Sequence, residues 1–259
     1  MIQGWSEIAR AVSATGDELV LRERAGIFEI RCNGWDLMSS RAHFSEQRMA
    51  AMVCERLDAV VPRVLIGGLG MGYTLRAALD RLPAAAEVVV AELLPEIIAW
   101  NRGVLGPLAG DPLDDPRVVA ACADVADLLH GEGFDAIMLD VDNGPDAVMV
   151  RGNALLYSSE GLQLLRRALQ GSAARARTVI ARPLGRSNLP GGLLRPSGLA
   201  MTGATPAPAA PGVLAVWSAD PSPDFEHRLA TAGFNWTRTD IPARGGPDDP
   251  LHTIYLAYA

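Results

Sequence analysis

One segment, Val64–Leu82, constrains the fold of this 259-residue chain more than any other. It opens with an apolar run, which is typical of a parallel strand that is buried on both faces. Gly68, Gly70 and Gly72 follow at alternate positions, and the remainder has the apolar spacing of a helix. A strand, a glycine turn and a helix form the opening of a nucleotide-binding βαβ unit, because glycine lets a ligand approach bare backbone at a helix N-terminus. Tight turns that bind nothing also use glycine in this way.

The next predicted strand, Glu87–Glu92, strengthens the nucleotide-binding interpretation. It ends in an acid about 20 residues beyond the last glycine, where doubly wound folds place the carboxylate that binds a ribose. Two more acids, Asp124 and Asp140, stand at the ends of the following predicted strands, Arg117–Cys122 and Phe134–Asp140. Since the carboxyl ends of parallel strands line the ligand crevice of an open α/β sheet, we expect these acids to share one site. Each of them could instead cap a helix.

The three acids suit an adenosine ligand. Glu92 would accept hydrogen bonds from both ribose hydroxyls, and Asp124 would accept one from the exocyclic amine. Asp140, beside the reacting end, could orient or deprotonate a nucleophilic amine. The sequence lacks the lysine–serine pair of a phosphate-binding loop, and phosphates would be repelled by so many carboxylates. These features disfavour NAD and ATP and indicate a cofactor with a positively charged sulfonium centre.

Charge, cysteine content and hydropathy limit the kinds of partner that the protein can bind. A formal charge of −7 and a pI near 5.1 argue against a surface for nucleic acid or an anionic membrane. Cys32, Cys54 and Cys122 fit no metal-ligand spacing, which predicts reduced structural thiols and no metal. No apolar stretch reaches the length of about 18 residues that a membrane span needs, and the N-terminus lacks the pattern of a signal peptide. We therefore expect a cytoplasmic protein that binds neither nucleic acid nor membrane.

Residues 1–60, before the central strand, are expected to form a small appendage. Met1–Ala14 is predicted to be an amphipathic helix. Glu18–Arg24 and Ile27–Cys32 alternate as the two strands of a β-hairpin. Ser45 is placed to cap the helix that follows.

Residues 61–259 are expected to form a Rossmann-like domain. After the fourth strand the sequence predicts a helix over Ser159–Leu169 and a strand over Pro211–Ser218, followed by one more helix and two strands. Residues 171–210 contain no Asp or Glu and show no sustained periodicity, which favours a flexible insertion. A substrate lid and a basic strip for an acidic partner are the alternatives for this segment.

Most of the chain resembles the spermidine synthase family of polyamine aminopropyltransferases. The segments that carry the resemblance are Gly67–Arg76, Ala91-Glu92-Leu93, Asp115-Pro116-Arg117-Val118 leading to Asp124, Phe134–Asp140 and Leu156–Leu162. The N-terminal hairpin also matches, since members of the family carry a small β-domain there. The chain differs from the family in three places. Gly70 stands where the family has an aspartate that holds the amine of the aminopropyl donor, and Glu46-Gln47-Arg48 replaces a tyrosine–histidine–glutamate trio. Asp140–Pro145 stands where the family has an Asp-Ser-Ser-Asp-Pro stretch.

The resemblance implies an α/β fold of the Rossmann-like class I methyltransferase type, with a mostly parallel sheet, a C-terminal antiparallel hairpin and the N-terminal β-hairpin appendage. It implies S-adenosylmethionine or its decarboxylated form as donor, a small-molecule amine as acceptor, no metal, and an N-terminal edge strand available for a homodimer. The implied cofactor-binding residues are Gly67, Gly68, Leu69, Gly70, Gly72, Glu92, Leu93, Asp124, Val125 and Asp140. The implied catalytic residues are Asp140 and Asp142. Asn143 and Tyr157 are the candidate substrate-binding residues, with a turn at Asn143 and a packing role for Tyr157 as the alternatives.

Three functions stay open on the sequence. The first is aminopropyl transfer to a polyamine or another amine, as in polyamine biosynthesis. The second is methyl transfer from S-adenosylmethionine by a class I methyltransferase, which Gly70 favours because that position no longer demands a decarboxylated donor. The third is a non-catalytic homologue that keeps the nucleotide pocket for binding alone.

Overall fold

The computed structural model of the chain describes residues 4–13, 16–131, 133–141, 143–146, 155–180 and 211–259. The chain forms a seven-stranded, mostly parallel sheet with helices on both faces, and a four-stranded antiparallel sheet from its N-terminal segment. The predicted α/β class is therefore confirmed. Among the described residues, no helix combines the length and the apolarity that crossing a bilayer requires.

The N-terminal sheet is larger than the predicted hairpin. Its strands are paired in chain order and antiparallel throughout. They are Ser6–Val12 (β1), Glu18–Arg24 (β2), Ile27–Cys32 (β3) and Trp35–Ser39 (β4). β2 and β3 form the predicted hairpin, and Ala25 and Gly26 turn between them with φ of +52° and +79°.

The prediction of a helix over Met1–Ala14 is wrong, because Ser6–Val12 pairs with β2 as an edge strand. In a strand, alternate side chains point to opposite faces. Ala9 accordingly packs against the core, whereas Ile8 and Val12, which a helical stripe would have covered, are 44% and 62% exposed. Pairing with a neighbouring strand overrides the weak helical pattern of so short a segment.

The helix after the small sheet is Phe44–Cys54 (α1). The prediction that Ser45 caps it is wrong, because His43 occupies the N-cap position and no side chain makes a capping hydrogen bond. Ser45 lies inside the first turn and is fully buried. Its hydroxyl makes tertiary contacts instead, with the side chains of His252 and Trp217.

The large sheet has the strand order β10-β11-β9-β8-β5-β6-β7. Its strands are Arg63–Gly67 (β5), Glu87–Glu92 (β6), Val118–Cys122 (β7), Ala136–Leu139 (β8), Val213–Ser218 (β9), Asn235–Pro242 (β10) and Leu251–Tyr258 (β11). β5 to β9 are parallel, and β11 runs antiparallel between β9 and β10. The antiparallel C-terminal pair is the one that the resemblance implied.

Five further α-helices lie between these strands in the part of the chain that the structure describes. They are Tyr73–Leu79 (α2), Pro95–Asn101 (α3), Val125–Leu128 (α4), Ser159–Ile180 (α5) and Pro223–Thr231 (α6). α5 continues beyond Leu169, so residues 171–180 are helical rather than part of an irregular insertion. This stretch is rich in alanine and arginine, which are good helix formers. The rest of the predicted insertion, residues 181–210, lies outside the described residues.

The core has two layers, one on each face of the large sheet. Ile66 of β5 packs with α1, α2 and α3, while its neighbour Leu65 packs with α4, α5 and α6. Leu19, Leu21 and Ile30 of the small sheet join the first layer. The small sheet is therefore packed onto the α1 face, and this places β4 next to the carboxyl ends of the parallel strands.

Candidate functional site

The carboxyl ends of β5, β6, β7 and β8 meet at one edge of the large sheet. β5 lies between β6 and β8, so the chain departs from it to both sides. Such a switch point opens the crevice in which α/β sheets bind their ligands. The glycine turn after β5 and the acids that follow the other three strands therefore lie at one place.

The glycine turn depends on residues without a Cβ atom. Gly68, Gly70 and Gly72 all have positive φ, at +87°, +53° and +82°. A Cβ atom on Gly68 would lie 2.1 Å from the backbone oxygen of Asp140, at the end of β8. The turn after β5 thus packs directly against the backbone that follows β8, which no larger residue at position 68 would permit.

Glu92 ties the glycine turn to the end of β6. Its carboxylate accepts hydrogen bonds from the backbone N–H groups of Leu69, at 3.0 Å, and Leu94, at 2.9 Å. Burial raises the pKa of Glu92, and the surrounding backbone N–H groups oppose that rise. The acid therefore shapes the loop and also lines the crevice.

Asp124 caps α4, because its side chain accepts a hydrogen bond of 2.8 Å from the backbone N–H of Ala126. Of the two roles that the sequence allowed for this acid, helix capping is therefore one that it performs. Asp124 nevertheless lines the same cavity as Glu92, together with Val125. A carboxylate has several acceptor positions, so one cap leaves acceptor capacity for a ligand.

Asp140 is held by α2. The hydroxyl of Thr74 donates a hydrogen bond of 2.5 Å to its carboxylate. Burial raises the pKa of Asp140 to about 6, although the Thr74 hydroxyl acts to lower it. Asp140 therefore changes its charge near neutral pH, within the range that suits proton transfer.

The structure brings most of the predicted cofactor-binding residues to one cavity. Its walls include Gly68, Gly70, Glu92, Leu93, Asp124, Val125 and Asp140. Gly67, Leu69 and Gly72 are not in its walls; they shape the turn from behind. The backbone N–H of Asp140, for example, donates to the backbone oxygen of Gly67 at 2.8 Å.

The two predicted substrate-binding residues, Asn143 and Tyr157, do not line the cavity. Tyr157 is buried in the core on the other face of the sheet, where it packs edge-on against Phe225 and its hydroxyl donates to the backbone oxygen of Val141 at 3.2 Å. Asn143 accepts a backbone hydrogen bond from Ala219 through its own backbone oxygen, and it is not among the residues that line the cavity. Asp142 lies outside the described residues.

Glu46, on the first turn of α1, lines the cavity opposite the strand ends, although it was not among the predicted site residues. Burial and the negative charge of Asp140 together raise the pKa of Glu46 to about 8. The hydroxyl of Ser45 donates a hydrogen bond of 2.6 Å to the Glu46 carboxylate. The signal in the sequence was the replacement at Glu46-Gln47-Arg48, which lies where the family has a functional trio.

Met38, on β4, closes the cavity over the glycine turn. A Cβ atom on Gly70 would lie 2.6 Å from Cε of Met38. The thioether therefore fills the space into which a longer side chain at position 70 would project. Ile30, Leu37 and Trp217 add further apolar wall around it.

In the part of the chain that the structure describes, the ionisable side chains that line the cavity are all carboxylic acids. Among the described residues that line it, Glu46, Glu92, Asp124 and Asp140 carry carboxyl groups, and none is a lysine, arginine or histidine. Such a lining favours a cationic ligand and disfavours phosphates. Within the described ranges, no cluster of histidine, cysteine and acidic side chains has the arrangement of a metal site.

Comparison with known proteins identifies the fold. No family model and no curated protein sequence matches the chain. The solved structure of spermidine synthase from Thermotoga maritima matches it with a TM-score of 0.66 at 18% identity, over 97% of this chain and 72% of that protein. A structure of spermidine synthase in complex with the transition-state analogue AdoDATO gives 0.65 at the same identity and coverage. The chain therefore has a spermidine synthase-like fold, as the resemblance implied.

Proposed function

We propose that this protein is a transferase that binds an adenosine nucleoside with a sulfonium centre and moves its aminopropyl group to an amine. The observation that carries the proposal is the cavity at the switch point, which four acidic residues line and in which no described lining residue is basic. Donor and acceptor in such a reaction are both cations. The AdoDATO complex of a protein with the same fold supports decarboxylated S-adenosylmethionine as the donor.

The donor end of the cavity, which we define as Gly68, Glu92, Asp124 and Val125, would hold the adenosine. Glu92 would accept from the ribose hydroxyls, and Asp124 would accept from the exocyclic amine with the oxygen that its helix cap leaves available. Val125 would pack on the base. The close approach of backbone at Gly68 would let the sulfonium portion pass over the turn toward Asp140.

The acceptor end, which we define as Met38, Glu46 and Asp140, would hold the amine. The reaction needs the acceptor nitrogen as a free base, because its lone pair forms the new C–N bond while the C–S bond of the sulfonium breaks. The sulfur leaves with that electron pair as a neutral thioether. Asp140, whose pKa burial raises to about 6, would orient the amine and favour loss of its proton.

Methyl transfer from S-adenosylmethionine is the second candidate, and the packing of Met38 on Gly70 favours it. In aminopropyltransferases of the resembled family an aspartate at this position holds the amine of the donor. Here the position carries no side chain, and a thioether covers it. The methionine portion of S-adenosylmethionine does not need an acidic side chain at position 70.

Product analysis separates these functions. Purified protein is incubated with either S-adenosylmethionine or its decarboxylated form, together with a series of amines, and the nucleoside product is identified by mass spectrometry. Aminopropyl transfer gives methylthioadenosine, which is the outcome that we expect. Methyl transfer gives S-adenosylhomocysteine instead. A protein that binds donors and forms neither product with any amine would be a non-catalytic homologue.

A further inference from the structure

A small pocket opens from the acceptor end of the main cavity. The two share four lining residues, namely Met38, Glu46, Gly70 and Asp140. The pocket has a volume of about 30 Å³, whereas one water molecule needs about 10–15 Å³ measured in this way. By this measure the pocket has room for a group of the size of a primary ammonium.

Two acidic residues line the pocket, Glu46 from α1 and Asp140 from the end of β8. Both are buried, and the negative charge of Asp140 adds to burial in raising the pKa of Glu46. The hydroxyl of Thr74 holds Asp140, and Tyr73 of α2 also lines the pocket. Two acids that repel each other across a space of this size retain a proton between them until a cation replaces it.

Glu46 is connected to the far side of α1 by a chain of hydrogen bonds. Ser45 Oγ lies 2.6 Å from Glu46 Oε2 and 2.8 Å from Nδ1 of His252, on β11. The indole N–H of Trp217 donates to the same oxygen at 3.0 Å and holds it in place. Since the hydroxyl has one hydrogen, it can donate to Glu46 or to His252 but not to both, so the protonation of one is linked to that of the other.

His252 is the outer member of this chain. It is partly exposed, whereas Ser45 is fully buried. Burial lowers the pKa of His252, and the charge of Asp220 acts to raise it. The titratable groups around Glu46 in the described structure are thus Asp140, Tyr73 and, through Ser45, His252. A neutral imidazole at the end of the chain is free to accept a proton.

We propose that Glu46 takes the proton that a primary ammonium acceptor must lose, and that Ser45 and His252 carry this proton out of the cavity. The proposal deepens the proposed function and rests on it. Glu46 is a catalytic residue alongside Asp140, because it would contact the acceptor nitrogen and take its proton while Asp140 orients the amine. Ser45 and His252 act through Glu46 as positioning residues.

Binding of the ammonium beside the two acids releases to solvent the proton that they share, and both carboxyl groups become ionised. Glu46 then takes one proton from the ammonium, the free amine attacks the carbon beside the sulfonium, and the thioether leaves. Glu46 gives its proton to Ser45 Oγ while the Ser45 hydrogen passes to Nδ1 of His252. The product keeps the remaining nitrogen hydrogens as a secondary ammonium.

The first test is calorimetric titration of 1,4-diaminobutane into the protein saturated with methylthioadenosine. Measurement at pH 7 in two buffers of different ionisation enthalpy gives the number of protons released. The wild type is expected to release about one proton per amine bound. Glu46→Gln is expected to release none and to bind the amine at least about tenfold more weakly. Glu55→Gln, an exposed change at the other end of α1, is the matched control and should behave as the wild type.

The second test measures turnover with decarboxylated S-adenosylmethionine and 1,4-diaminobutane as a function of pH. His252→Gln is expected to lower kcat by about tenfold and to move the acid limb of the pH profile, with the affinity for methylthioadenosine unchanged. His227→Gln, on the exposed face of α6, is the control. A merely structural role of His252 would lower the melting temperature without moving the pH profile.

The outcomes separate this inference from the proposed function. If methylthioadenosine binds and Glu46→Gln still releases a proton on amine binding, the role of Glu46 is overturned and the donor site stands. Failure of 1,4-diaminobutane to bind to the loaded wild type also overturns it. If methylthioadenosine itself does not bind, the proposed function fails, and the inference fails with it.

Discussion

The donor end and the acceptor end of the cavity are built in different ways. The donor end consists of a glycine turn and acids that each follow a strand of the large sheet, so its geometry comes from the sheet itself. The acceptor end is assembled by tertiary packing, because Met38 comes from the small sheet and Glu46 from α1. The donor end is therefore constrained by backbone contacts, whereas the acceptor end can change with single side chains.

This contrast agrees with how the sequence relates to the resembled family. The donor-end segments Gly67-Gly68 and Ala91-Glu92-Leu93 match it. Glu46, at the acceptor end, and Gly70, which Met38 covers, depart from it. A fold that keeps its nucleotide site while altering the neighbouring walls can keep one donor class and change its second substrate.

Asp140→Asn is expected to have the largest effect, because Asp140 stands where the two ends meet. Turnover should fall by about 100-fold or more, since the amine loses its charged partner. The affinity for methylthioadenosine should change by no more than a few-fold. Asp127→Asn, an exposed acid on α4, is the control. Unchanged turnover in Asp140→Asn would remove this residue from the mechanism.

Gly68→Ala tests the claim that the donor end depends on backbone contact. The new Cβ atom would meet the backbone oxygen of Asp140 at 2.1 Å. We expect a loss of more than about 3 kcal/mol in the free energy of unfolding and loss of methylthioadenosine binding. Gly26→Ala has a similar positive φ but an open surrounding, so it should cost only about 1 kcal/mol. Equal losses in urea titrations of the two variants would refute the backbone argument.

Glu46→Gln tests whether the buried carboxyl group of Glu46 lowers the free energy of unfolding. The folded protein holds the proton of Glu46 more tightly than the unfolded chain, since its pKa is about 8 against 4.5. The wild type therefore loses stability as the pH rises from about 4.5 to 8, and the glutamine variant does not. We expect the variant to be more stable than the wild type by about 1–3 kcal/mol at pH 8 and equally stable near pH 4. A difference that does not depend on pH would contradict the burial of this acid.

The Met38→Ala/Gly70→Asp double variant is expected to have the smallest effect. Shortening Met38 makes room for the aspartate, and a φ of +53° at position 70 is one that aspartate tolerates. The added carboxylate should raise the preference for decarboxylated S-adenosylmethionine over S-adenosylmethionine by about tenfold. Met38→Ala alone should leave the preference unchanged. If both variants behave alike, position 70 does not select the donor.

Much of the fold could be predicted from the sequence, because its strands carry local signals. The hairpin of β2 and β3 and the strand β6 have the predicted bounds. The segment Ser6–Val12 was mistaken for a helix, since only pairing with β2 distinguishes an edge strand from a short amphipathic helix. Similarly, α5 runs past Gly171, because its alanines and arginines outweigh one glycine.

The donor end could be predicted for the same reason, since its acids stand at strand ends. The acceptor end could not. Glu46 reaches the cavity only because α1 packs against the large sheet, and Met38 only because β4 folds over the glycine turn. Tyr157 was expected near the acceptor, but its ring belongs to the apolar layer on the other face of the sheet. Contacts between distant segments carry no local pattern that a single sequence reveals.

The measurement that tests the central claim most directly is calorimetric binding of S-adenosylmethionine, decarboxylated S-adenosylmethionine and methylthioadenosine to the purified protein. We predict that all three bind and that the decarboxylated donor binds most tightly, because it brings two positive charges and no carboxylate to a cavity lined by acids. Tighter binding of S-adenosylmethionine would move the assignment to methyl transfer. Absence of binding by all three would contradict the claim that this cavity is a nucleoside site.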